Sequence, residues 1–410
     1  MALCVTEIVS WGVLYYAFPV LVSDLARDTG WSLAAAMGAF STGALVAAGA
    51  GIVVGRLIDA RGPRVVMTAG SVIGVVAVVA IATAPNLPLF YAAWVLAGLA
   101  QSATLYPPAF AALTGWWQHN RIRALTVLTV VAGFSSTIFA PLTAWLLGRL
   151  DWRDTYLVLA VILAVVTIPL HALVLTAPWK THPEHLGAGD DGSRAGHPGQ
   201  VPQIDDAAHG RAVVRSRPFL VLTAVMAVSG FGMYAATINI VALLVGRGYD
   251  TGFAALALGL CGAGQVLGRL CYAPLTKRTS PRSRTAAVLA AGAATVAALG
   301  LLPGPAGALV VVALLAGAVR GVHTLLQAAA VADRWGTRAF GRINGMFSAP
   351  MTVAIALAPA GGVVLAGLVG SYPAGFTILA VVTLAAALAA LVVDPRATSP
   401  QPAPARSVPR

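Results

Sequence analysis

Arg320, His323, Thr324 and Gln327 recur at intervals of three and four residues inside an apolar run, so on a helix they form one stripe. A guanidinium in such a run costs roughly 2.5–3.5 kcal/mol on the lenient membrane-insertion scale, which calls for a partner: an anion in a cavity, or a structural counter-group. His323 reads equally as a packed histidine or as a proton carrier. Cys261, Gln265 and Arg269 repeat every fourth residue of another run and share a face. Arg269 stands near the end of its run, where a long cationic side chain can also snorkel to the membrane surface. Gln101 and Tyr106 precede Pro107 and Pro108, which open the local helical hydrogen-bond ladder. Tyr106 either donates to an anion or packs between helices. Glu7 and the interfacial Asp24 are the only acids inside the apolar runs, with Asp59 in the joint after the second; Glu7 is a candidate proton site or a solvated end group. Cations and neutral donors in apolar surroundings suit the binding of a small anion. No arrangement of nucleophile with base is recognisable, and the three cysteines, Cys4, Cys261 and Cys271, have no metal-ligand spacing.

The elements that must hold these residues are membrane helices. Hydrophobic residues make up 58% of the 410 and charged residues 10%, far from the about 25% charged residues of a soluble domain. The runs 3–25, 33–56, 64–84, 87–114, 122–148 and 155–176 are followed by 218–246, 252–275, 284–303, 306–332, 341–369 and 372–393. Each matches the about 20 apolar residues that cross a bilayer. Between the sets lies a polar linker, 177–217, too poor in apolar residues to fold alone. Its histidines His182, His185, His197 and His209 are irregularly spaced and read as loop residues rather than metal ligands. The net charge of +12 sits in the joints between runs, which argues for membrane orientation and against nucleic-acid binding. On alternate sides the joints and tail hold 21 and four basic residues, so both termini and the linker are expected in the cytoplasm. Gly55-Arg56-Leu57 returns as Gly268-Arg269-Leu270, 213 residues on; Arg123 precedes Pro141 much as Arg342 precedes Pro359. Two homologous halves are implied.

The joint Gly55, Arg56, Leu57, Ile58, Asp59, Ala60, Arg61, Gly62, Pro63, Arg64 resembles the GxLxDxxGxR loop of the major facilitator superfamily at every fixed position. The resemblance implies that Gly55 permits close helix approach and that Asp59, with Gly62 and Arg64, helps lock one conformation. Glu7, Trp11-Gly12, Tyr15-Tyr16 and Phe18 in helix one, Gly30-Trp31-Ser32, the Trp116 to Ala124 segment and Asp151-Trp152-Arg153 are similar to the monocarboxylate porter and oxalate/formate antiporter branch. In that branch an arginine at the position of Arg269 binds the substrate carboxylate, a task for which the guanidinium fork is suited. Glu7 stands one residue further from the Trp than in the eukaryotic pattern. Gln265 occupies a place where many monocarboxylate porters carry Asp.

The expected protein is therefore an all-α membrane protein of twelve transmembrane helices in two halves, 1–176 and 218–393, with a tail at 394–410. The resemblance implies a proton-coupled secondary transporter of a small, monocarboxylate-like organic anion, working by alternating access as a monomer in the plasma (cell inner) membrane. Arg269, Arg320, Gln265, Tyr106, His323, Gln327 and Gln101 are its expected substrate residues, and Glu7 its proton site. No enzyme activity, cofactor or metal is expected. The alternatives are an efflux carrier for drug-like or metabolite cargo and a non-transporting membrane sensor. Against efflux, helix five reads Ala140-Pro141-Leu142-Thr143 where drug exporters carry GPxxGG; against a sensor, no signalling domain is recognisable.

Overall fold

Inside a bilayer the backbone has no water to bond, so an apolar run satisfies its N–H and C=O groups internally as a helix. The computed structural model of the chain describes residues 1–116, 121–179, 203–336 and 340–392. Among these are twelve helices long and apolar enough to span: α1 Ala2–Thr29, α2 Leu33–Ile58, α3 Pro63–Thr83, α4 Leu87–Thr114, α5 Arg123–Leu147 and α6 Trp152–Val174. The second set is α7 Arg217–Ile238, α8 Thr251–Arg278, α9 Pro281–Leu301, α10 Ala306–Ala329, α11 Ile343–Leu368 and α12 Tyr372–Ala390. Their starts follow the capping rule: Ser32, Asn86, Asp151 and Asp250 each accept a bond from the backbone N–H three residues on.

The halves α1–α6 and α7–α12 meet chiefly where α5 packs on α8 and α2 on α11. Thr137 donates to the Gly259 carbonyl at 2.8 Å, and Ser41 accepts the Ala360 N–H at 3.2 Å. Several spans of the first half are interrupted. A π-turn occupies Gly12–Tyr16 of α1, α4 breaks at Leu105 just before Tyr106, and α5 breaks at Gly133 and Phe134. Within the first half, His171 of α6 pairs with Ser71 of α3 at 2.8 Å, so its polar ring is turned inward while Val161 and Val165 stay exposed.

Two expectations change. The linker is not wholly irregular: Gln203–Arg215 forms a helix that leans on α11, with Val213 buried, so neighbouring helices supply the apolar partner that the segment lacks by itself. His182, His185, His197 and the tail 394–410 lie outside the described residues. The second change concerns the repeated glycines. A Cβ at Gly264 or Gly268 would collide with the Leu314 or Ala318 carbonyl of α10, and one at Gly317 or Gly321 with the Cys261 or Gln265 carbonyl of α8. These four glycines let α8 and α10 touch backbone to backbone, the packing that small residues allow in membranes. Gly51 and Gly55 face open space, so Gly55 does not mediate close approach here.

Candidate functional site

The glycine contact between α8 and α10 sets the geometry of the central polar group. It places Gln265 beside Arg320, and the Arg320 Nη2 donates to Gln265 Oε1 at 2.6 Å and to the Tyr16 hydroxyl of the opposite half at 3.2 Å. The guanidinium also lies over the Tyr234 ring at 5.0 Å. Arg320 is 2% exposed, yet its Nε and Nη1 have no hydrogen-bond partner. Among the described residues no carboxylate lies within ion-pair distance of it, the ion pairs being Arg27 with Asp24, Arg153 with Asp28 and Arg284 with Asp333. The partner expected from the sequence is thus neutral. One or two charge-assisted bonds, each worth about 1.5–3 kcal/mol, offset the insertion cost and leave little surplus.

Arg269 lies more than two turns before the end of α8 at Arg278, too deep to be a joint residue. It points across the seam: its Nη1 donates to the Thr129 carbonyl of α5 at 2.6 Å. Snorkelling to the surface does not describe it. Tyr106 begins the second segment of α4 and lies within electrostatic reach of both Arg269 and Glu7. Glu7 is fully buried, which corrects the solvated alternative; neither oxygen has a hydrogen-bond partner. The Trp11 indole N–H faces that carboxyl and is likewise unpaired. Trp11 packs on Tyr106 with ring centroids 5.1 Å apart, on Tyr15 at 5.2 Å and on Tyr16 at 6.2 Å.

Arg320, Gln265, Arg269, Tyr106 and Glu7 therefore gather around Trp11 and Tyr16. Three other expected residues stand apart. Gln101 donates to the Leu14 carbonyl at 2.9 Å, bracing the π-turn of α1 from behind. His323 is buried and lies 3.3 Å from Ser229 of α7, one turn from Arg320. Gln327 is half-buried a further turn along α10. In the loop after α2, Gly62 takes a left-handed φ of 78° and Arg64 donates to the Ala172 carbonyl at 2.7 Å. The Asp59 side chain lies outside the described residues.

Tyr16, Tyr234, Trp11 and the Thr129 carbonyl enter this group although none was expected as a site residue. The adjacent aromatics of helix one were visible, but not the direction each ring takes after a π-turn. Elsewhere, a cleft of about 770 Å³ at the end of the seam remote from the linker gathers Asp24, Asp28, Asp151 and Asp250. Its acids are all engaged: Asp24 with Arg27 at 2.8 Å, Asp28 with the Trp152 indole at 2.9 Å, and the other two as helix caps.

Twelve spans in two halves around a buried polar centre are the build of a secondary transporter, in which alternate sides open around a fixed site. The chain belongs to the Major Facilitator Superfamily, whose sequence profile matches residues 3–322. It is 24% identical over 264 residues to monocarboxylate transporter 13 of Rattus norvegicus, and equally to that of Bos taurus, covering 64% of this chain. The match spans about half, 55%, of each relative's length. The crystal structure of the nucleoside transporter NupG superposes with a TM-score of 0.72, covering 96% of this chain and 98% of that one. At 12% identity that likeness concerns the fold.

Proposed function

We propose that the protein carries a small organic anion, monocarboxylate-like, together with a proton, by alternating access. The observation that carries this reading is Arg320: a buried cation with two unpartnered nitrogens and neutral neighbours. A carboxylate is the ligand that both completes its hydrogen bonds and neutralises it. Arg269, across the Trp11 and Tyr106 rings, is the second cation, and Glu7 is the carboxyl that carries the proton. The resemblance to monocarboxylate transporter 13 supports the same substrate class. Both termini and the linker are assigned to the cytoplasm and the protein to the inner membrane, on the excess of basic residues in the linker-side joints.

Counterflow of a panel of radiolabelled organic acids in proteoliposomes tests the reading. Exchange of a carboxylate that is accelerated by an inward proton gradient is the expected result. Exchange of apolar or cationic compounds with no response to any carboxylate would replace it with the efflux alternative.

A further inference from the structure

The bonds and rings around Arg320 say something about the body of the ligand as well as its charged head. Resting on the anion reading above, we propose that the site prefers carboxylates with an aromatic body over short aliphatic ones. The two side-chain amides here and one phenol are already engaged, Gln265 and the Tyr16 hydroxyl with Arg320 and Gln101 with the Leu14 carbonyl, which leaves Glu7, the Ser10 hydroxyl and the Trp11 indole N–H as the unpaired polar groups beside them. A sugar or nucleoside body carries several hydroxyls, more than these few unpaired groups could satisfy. Ring faces are abundant instead. Trp11, Tyr106 and Tyr234 are only half-buried although they pack within the polar group, Trp11 on Tyr106 and Tyr234 under Arg320.

The aromatic wall is built from both sides. Trp11 and Tyr106 meet with centroids 5.1 Å apart and planes inclined by 48°, and Phe110 stacks on Tyr106 at 5.2 Å and 13°. Tyr234 lies across the seam under Arg320. A carboxylate held by the Arg320 Nε or Nη1 would bring its substituent against these rings. Offset or edge-to-face ring contacts then add to simple apolar burial. A bulky organic cation, the other ligand that aromatic walls attract, is disfavoured because Arg269 and Arg320 outnumber the single carboxyl of Glu7 among the described residues gathered here.

The test compares four probes on the purified full chain: phenylacetate, cyclohexylacetate, acetate and 2-phenylethanol. Burial of a phenyl group corresponds to an affinity gain of about ten- to a hundred-fold, so phenylacetate is expected to bind tighter than acetate by that ratio and tighter than cyclohexylacetate by severalfold. Trp11→Leu should shrink the phenylacetate-to-acetate ratio severalfold, and Trp11→Phe should largely keep it. If Trp11→Leu does not fold, Tyr106→Leu reads the same ratio. Equal affinities for phenylacetate and acetate, or for phenylacetate and cyclohexylacetate, overturn the aromatic preference while the anion reading stands. Equal affinities for phenylacetate and 2-phenylethanol overturn the anion reading. Failure of folded protein to bind any of the four overturns both.

Discussion

Replacing Arg320 is the sharpest perturbation the structure offers. Its Nη2 is committed to Gln265 and Tyr16, leaving Nε and Nη1 to meet a carboxylate. One charge-assisted hydrogen bond contributes about 1.5–3 kcal/mol, so Arg320→Ala should weaken carboxylate binding roughly ten- to a hundred-fold. The same substitution strands the Gln265 amide oxygen, a buried acceptor whose lost partner costs about 1–3 kcal/mol of stability. Arg320→Met keeps most of the volume and separates the two effects, since packing is retained while charge is lost. Arg320→Lys restores the charge, but one ammonium cannot bond Gln265, Tyr16 and a substrate in the planar geometry of a guanidinium, so only part of the affinity should return. Arg269→Ala should cost less binding, because Arg269 already donates to the Thr129 carbonyl and is half-buried. The assay is equilibrium binding of a carboxylate identified by counterflow, on variants shown to be folded by thermal melting. If Arg320→Ala and Arg320→Met bind that carboxylate as tightly as the parent, the reasoning from the unpaired nitrogens is wrong.

Glu7→Gln should leave carboxylate counterflow largely intact and abolish accumulation driven by a proton gradient; uptake that still follows the gradient would remove Glu7 from the coupling step. Gly268→Ala places a methyl group against the Ala318 carbonyl and should lower stability by about 1–3 kcal/mol, whereas Gly55→Ala enters open space and should be neutral or slightly stabilising. Thermal melting of the two variants side by side checks the contrast, and equal losses would refute the reported packing. A reporter active only outside the cytoplasm, fused after residue 410, should be silent; an active fusion would invert the topology.

Membrane architecture is legible in this sequence because the bilayer allows so few solutions. An apolar run of about 20 residues must close its hydrogen bonds within a helix, so most spans could be bounded to within a few residues, while the seventh, expected to reach 246, is interrupted after Ile238. The same physics made the polar candidates visible: charges are costly in apolar runs, and Arg320 and Glu7 stood out by rarity alone. How they are used depends on the rotation and depth of each helix, to which a local pattern is blind. One residue turns a helix by about 100°, and the π-turn at Gly12–Tyr16 changes that phase within α1. Only the packed bundle could decide that Arg269 reaches the Thr129 carbonyl, that Gln101 turns away to Leu14, and that His323 meets Ser229. The repeated Gly-Arg-Leu makes the point most directly. The glycine at 268 lies against the α10 backbone while the one at 55 faces open space, because the neighbour a residue meets is set by distant helices and not by its own sequence.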